Sequence, residues 1–80
     1  MLTFETDSDG SLEVSFDDEG FMDLLGIINR ARREDHEHAA TPSWGGDELT
    51  EEFHPEWKPI HQVTFRYHPS RHSMSDIEQR

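Results

Sequence analysis

Six histidines and eighteen carboxylates in 80 residues make metal ligation the first chemistry to weigh. His36 and His38 stand two apart, so a strand aims both imidazoles the same way. His61 lies on a second strand-like run that can approach them, and two or three histidines with a carboxylate suit zinc. No His-Glu-x-x-His spacing fixes such a site. Histidines among so many acids more often pair with them at the surface. No metal and no cofactor is therefore expected, and a metal-binding module or metal-dependent enzyme on His36, His38 and His61 stands as the alternative. Nucleophilic catalysis finds less support. The serines at 8, 11, 15, 43, 70, 73 and 75 fall in turns, strand faces or a terminal run, and none sits in a nucleophile elbow. The carboxylates read mostly as solvated faces, and a core this small leaves little room for a cleft. The chain is expected not to be an enzyme.

The most concentrated chemistry lies in Thr41 to Glu52, TPSWGGDELTEE. Pro42, Gly45 and Gly46 shape a sharp turn, and Trp44 sits inside it. Asp47, Glu48, Glu51 and Glu52 then bring four negative charges. Tryptophan is favoured as an interface anchor, and loops are where anchors are presented. The competing reading is structural: Trp44 plugs a sheet edge, and the acids are a solvated first helical turn. Beside an aromatic-glycine turn in a strongly acidic chain, the segment reads as a presented binding surface.

Charge narrows the partner. Eighteen acids against seven Lys and Arg give a formal net charge of −11. That disfavours nucleic acid and anionic membranes, where cationic surface supplies much of the affinity, and favours a basic partner. No cysteine is present, which removes disulfides and thiolate metal sites. No apolar run approaches the roughly 20 residues that span a bilayer. The acidic start MLTFETDSDG lacks the layout of a signal peptide, so a cytoplasmic protein is expected.

The elements that must position these residues follow from periodicity. Leu2 and Phe4 alternate with Thr3 and Glu5, a short strand. Asp7 to Gly10 is a turn, and Leu12, Val14 and Phe16 alternate in a second strand that closes a hairpin. Asp17 is the expected N-cap of a helix from about Asp18 to Arg33, with acids in its first turn and arginines in its last. Phe21, Leu24, Leu25 and Ile28 form its apolar stripe, and Gly26 is read as a point of close packing on a sheet. Asp35 to Ala40 is a third strand that Pro42 ends. Ile60 to Tyr67 is the fourth, after a loop carrying Phe53 and Trp57. The order β-β-α-β-β predicts an α+β two-layer sandwich, one helix on a four-stranded, mostly antiparallel sheet. The expected core is Leu2, Phe4, Leu12, Val14, Phe16, Phe21, Leu24, Leu25, Ile28, Val63 and Phe65. Residues 1–68 make the single domain, and 69–80 a polar, flexible tail.

The run DHEHAATPSWGGDELTEE, Asp35 to Glu52, resembles the signature segment of the Immunity protein 32 family. The likeness rests on His36, His38, Thr41, Pro42, Ser43, Trp44, Gly45, Gly46, Glu48 and Leu49, about a quarter of the chain. Members of that family are small bacterial proteins encoded beside polymorphic toxins. The resemblance implies an α+β inhibitor without activity of its own that neutralises a cognate toxin in bacterial competition. An acidic inhibitor suits a toxin with a basic site, such as a nuclease. Whether the signature touches the toxin or holds the scaffold is left open by the resemblance.

Overall fold

Asp17 sets the frame. In the computed structural model, which describes residues 1–69, its carboxylate accepts the Gly20 N–H at 2.8 Å and starts helix α1, Asp18–Glu34. This satisfies one of the donors that a helix start leaves orphaned. Ahead of it, strands β1 (Leu2–Thr6) and β2 (Leu12–Phe16) form an antiparallel hairpin, with Leu2 opposite Phe16 and Glu5 opposite Glu13. The hairpin turn is held by Asp7, whose Oδ1 accepts the Asp9 and Ser11 N–H groups at 2.9 Å each.

The helix stops at Asp35, which takes φ 80° and swings the chain directly into β3, His36–Ala40. Positive φ is uncommon for a residue other than glycine, and Asp is among the types that tolerate it. Two contacts from the far end of the chain secure it. Arg66 Nη1 donates to its carboxylate at 3.1 Å, and the Tyr67 N–H donates to its carbonyl at 2.8 Å. A single 3-10 turn, Pro42–Trp44, follows β3, and β4 (Lys58–Ile60) and β5 (Gln62–Arg66) close the order.

The α+β class stands, with one helix and antiparallel strands, but the expected single four-stranded sheet is replaced by two sheets. The order is β2-β1-β4 in one and β3-β5 in the other. The run expected as one strand from Ile60 to Tyr67 is broken at His61. Before the break Lys58–Ile60 pairs with β1, and after it Gln62–Arg66 pairs with β3. His61 itself turns its carbonyl to the Thr41 N–H at 2.9 Å. Residues 48–50 bridge the two sheets: the Leu49 N–H donates to Ala40 and the Thr50 N–H to Leu2. The expected tail lies, except for Pro69, outside the described residues.

The helix is rotated from its expected setting. Gly20, Ile27 and Ala31 are buried and Leu24 is half-buried, a stripe at i, i+4, i+7 and i+11. Phe21, Leu25 and Ile28, expected in the core, face outward, as do Leu12 and Phe16 on β2. The cause is Gly20. A Cβ there would stand 1.6 Å from the Met1 carbonyl oxygen, so only glycine lets the helix lie this close to the chain start. Gly26 is not the close-packing point: a Cβ there meets only the end of the Arg30 side chain, at 3.4 Å. The core that results is Leu2, Phe4, Ile27, Ala39 and Leu49, flanked by Val14, Leu24, Ile60, Val63 and Phe65.

Strand β1 is buried on both faces. One face, with Leu2 and Phe4, lies in this core. The other, with Thr3 and Glu5, is met by the run after the 3-10 turn. Thr3 Oγ1 lies 2.7 Å from Thr50 Oγ1, and Glu5 accepts from His54. The polar side of the first strand is therefore interior, against the half-buried strand that its alternation predicts.

Candidate functional site

The segment from Thr41 to Glu52 folds into a loop tied mainly by its own groups. Pro42 opens the 3-10 turn, where its fixed φ suits the first position and its missing N–H costs nothing. Gly45 ends it at φ 83° and donates its N–H to the Pro42 carbonyl. Gly46 lies against β3, where a Cβ would stand 2.5 Å from the Ala40 carbonyl oxygen. The Trp44 and Gly46 N–H groups both donate to the Thr41 carbonyl. Thr41 itself is buried, with its hydroxyl 2.7 Å from His61 Nδ1. Leu49 is 1% exposed and anchors the far end of the loop in the core.

Trp44 stands out from this frame. Its side chain is 62% exposed, yet the indole is stacked on the His61 ring with centroids 5.8 Å apart and planes 7° from parallel. Phe53 meets the same imidazole edge-on at 5.5 Å. His61 is thus fixed by Thr41 and Phe53 and in turn supports the tryptophan.

The four acids of the segment divide. Glu48 is half-buried and accepts the Ala40 N–H at 3.0 Å, a contact that lowers its carboxyl below the usual range. Glu51 accepts from Ser43 twice, from the N–H at 3.1 Å and from the hydroxyl at 2.6 Å. Both are loop ties. Asp47 and Glu52 are exposed. Asp47 and Glu48 also line a groove of about 300 Å³ against the helix, with Met22, Asp23, Gly26, Ile27 and Arg30. The structure therefore ties Glu51 to Ser43 in the 3-10 turn and sets Asp47 and Glu48 in the groove against the helix.

The three histidines weighed for zinc do not assemble. In the β3–β5 register His36 and His38 pair with Arg66 and Thr64, and Thr41 bonds to His61. His61 falls on the opposite alternation phase from His36 and His38. The two β3 rings meet edge to face at 5.1 Å, and His38 Nδ1 lies 2.8 Å from Thr64 Oγ1.

Two residues with more marked surroundings escaped the sequence reading, Glu5 and His54. Glu5 has its side chain 1% exposed, and its carboxylate accepts the His54 backbone N–H at 3.0 Å and contacts His54 Nδ1. Glu13, opposite on β2, lies 3.6 Å from the same Nδ1. The Glu5 carboxylate, with a smaller contribution from Glu13, raises the His54 imidazole above its ordinary value. Trp57 lies beside the ring at 5.6 Å. Period-two alternation assigns Glu5 to the solvent side, and only the aromatics of FHPEW signal that a covering loop is near.

No family model, no curated protein and no solved structure matches the chain. Among the described residues no helix is long and apolar enough to cross a membrane.

Proposed function

We propose that the chain is an immunity-type inhibitor, a binding protein that neutralises a cognate bacterial toxin domain by covering it one to one. The observation that carries this reading is Trp44: a large, exposed aromatic held flat on His61 by a loop that is already formed. A preorganised tryptophan loses little conformational freedom on binding, which is why such residues dominate interface energetics. The charge of −11 supports a basic partner and speeds its encounter at low salt. The likeness of residues 35–52 to the immunity family agrees with both. Within the segment, Trp44 is the anchor and the exposed Asp47 and Glu52 supply charge. Pro42, Gly45, Gly46, Glu48 and Glu51 hold the loop that presents them. The partner is a toxin domain with a basic site, a nuclease being one example, and the inhibitor performs no chemistry on it.

The test is co-production with the toxin domain encoded beside its gene. A one-to-one complex on size exclusion and rescue of growth support the reading. Trp44→Ala is expected to weaken the complex by about 30-fold, the scale of an interface hot spot. Absence of both complex and rescue overturns it.

A further inference from the structure

The Glu5–Glu13 pair poses a physical problem that the inhibitor reading does not use. The two carboxylates are directly opposed on neighbouring antiparallel strands, where like charges repel. Glu5 is also removed from water, where an ionised carboxylate needs a cation or strong donors. Among the described residues the basic group placed against both is His54, and an imidazolium carries one charge against two.

We infer that Glu5, Glu13 and His54 form a site for one divalent transition-metal ion of the zinc type, which clamps the run around His54 onto the β1–β2 hairpin.

Geometry and chemistry both support the site. One ligand atom from each residue lies within 4.8 Å of the other two. Ligands held about 2.1 Å from a single ion stand roughly 3.0–3.5 Å apart, so small side-chain adjustments close the shell. The His54 Nδ1 to Glu13 separation of 3.6 Å is already near that value. The donors come from three places, β1, β2 and the loop, so one ion joins segments far apart in sequence. One imidazole nitrogen and two carboxylates match zinc, and the nitrogen ligand disfavours magnesium and calcium, which take oxygen. A +2 ion balances both carboxylates at once, which His54 alone cannot. Outer contacts that orient the ligands are in place. The His54 backbone N–H donates to Glu5, and Ser15 Oγ lies 3.5 Å from Glu13. Glu13 and His54 are 43% and 55% exposed, leaving an open side for entry and for water ligands.

The experiment uses the full chain, stripped with a chelator and titrated with zinc chloride by calorimetry. Trp57, 5.6 Å from His54, reports the site by fluorescence in a Trp44→Phe background, and cobalt substitution reports it by visible absorption. One zinc per chain is expected, with a thermal midpoint that rises with zinc concentration. His54→Ala and Glu13→Gln should each weaken binding at least about 10-fold, while His38→Ala leaves it unchanged. Both informative positions are partly exposed, so circular dichroism should find the variants folded; if His54→Ala does not fold, Glu13→Gln carries the test alone. No saturable uptake, or stoichiometric uptake of unchanged affinity in Glu13→Gln, overturns the site. Either result leaves toxin binding through Trp44 to be judged by its own assay.

Discussion

Glu48 shows how a residue chosen for its charge can act through its hydrogen bond. The Ala40 N–H donated to its carboxylate keeps the carboxyl below its ordinary value of 4.5. A lowered folded-state value means the ionised form is favoured by folding. The stabilisation is therefore full above about pH 4.5 and is lost as pH falls through the folded value. Glu48→Gln should lower the thermal midpoint at pH 7, and the two proteins should converge as the pH falls through the lowered folded-state value. A constant gap across that range would show that the contact does not favour the charged form. Two neighbours define the same loop through packing. Leu49→Ala should cost about 2–5 kcal/mol in denaturant unfolding, because a fully buried leucine leaves a cavity. Gly46→Ala should cost about 1–3 kcal/mol, because its new methyl meets backbone that cannot give way.

At the scale of elements, what could be read from the sequence was whatever local chemistry decides. The Asp17 cap, the helix span, the hairpin with its Asp-Gly turn and the strand ending before Pro42 all follow from short-range rules, and the structure has them. What failed depended on contacts distant in sequence. Phe21, Leu24, Leu25 and Ile28 make an apolar stripe at helical spacing, but the closest approach available to the helix runs through Gly20, where a missing side chain admits Met1. That rotates Ile27 and Ala31 inward and leaves Phe21 46% exposed, resting on Phe16 at 6.2 Å. Ile27→Ala should accordingly destabilise by about 2–5 kcal/mol. Phe21→Ala and Leu25→Ala should each cost clearly less, and the reverse order in chemical denaturation would restore the stripe to the core. The break at His61 did leave a trace in the sequence. Val63, Phe65 and Tyr67 alternate, but Ile60 falls on the phase of Gln62, Thr64 and Arg66, so the adjacent polar pair His61-Gln62 marks the point where the pairing partner changes from β1 to β3.

For the whole molecule, the candidate site was legible as a segment but not as a set of roles. Composition located TPSWGGDELTEE, and periodicity could not say that Glu48 and Glu51 are turned onto the loop while Asp47 and Glu52 stay exposed. The electrostatic part of the proposed recognition therefore rests on this exposed pair and on the overall charge. Association with the toxin domain should slow as salt rises. Reversing Asp47 and Glu52 to lysine should flatten that dependence, whereas Trp44→Ala should act mainly on the dissociation rate. Stopped-flow mixing at several ionic strengths separates the two, and an unaltered salt slope in the reversed variant would move the contact surface elsewhere.

The kinked run through His61 has one more consequence, for the birth of the protein. During synthesis β1 keeps an unpaired edge until Lys58–Ile60 arrives, and β3 waits for Gln62–Arg66 in the same way. Between the making of Ala40 and of Lys58 the nascent chain thus carries two open ladders. Both are sealed by a single late stretch of nine residues, Lys58 to Arg66. Distant pairings of this kind close slowly. A ribosome stalled before Lys58 should hold a hairpin and a helix that remain digestible by protease, and protection should appear in one step once Arg66 is free.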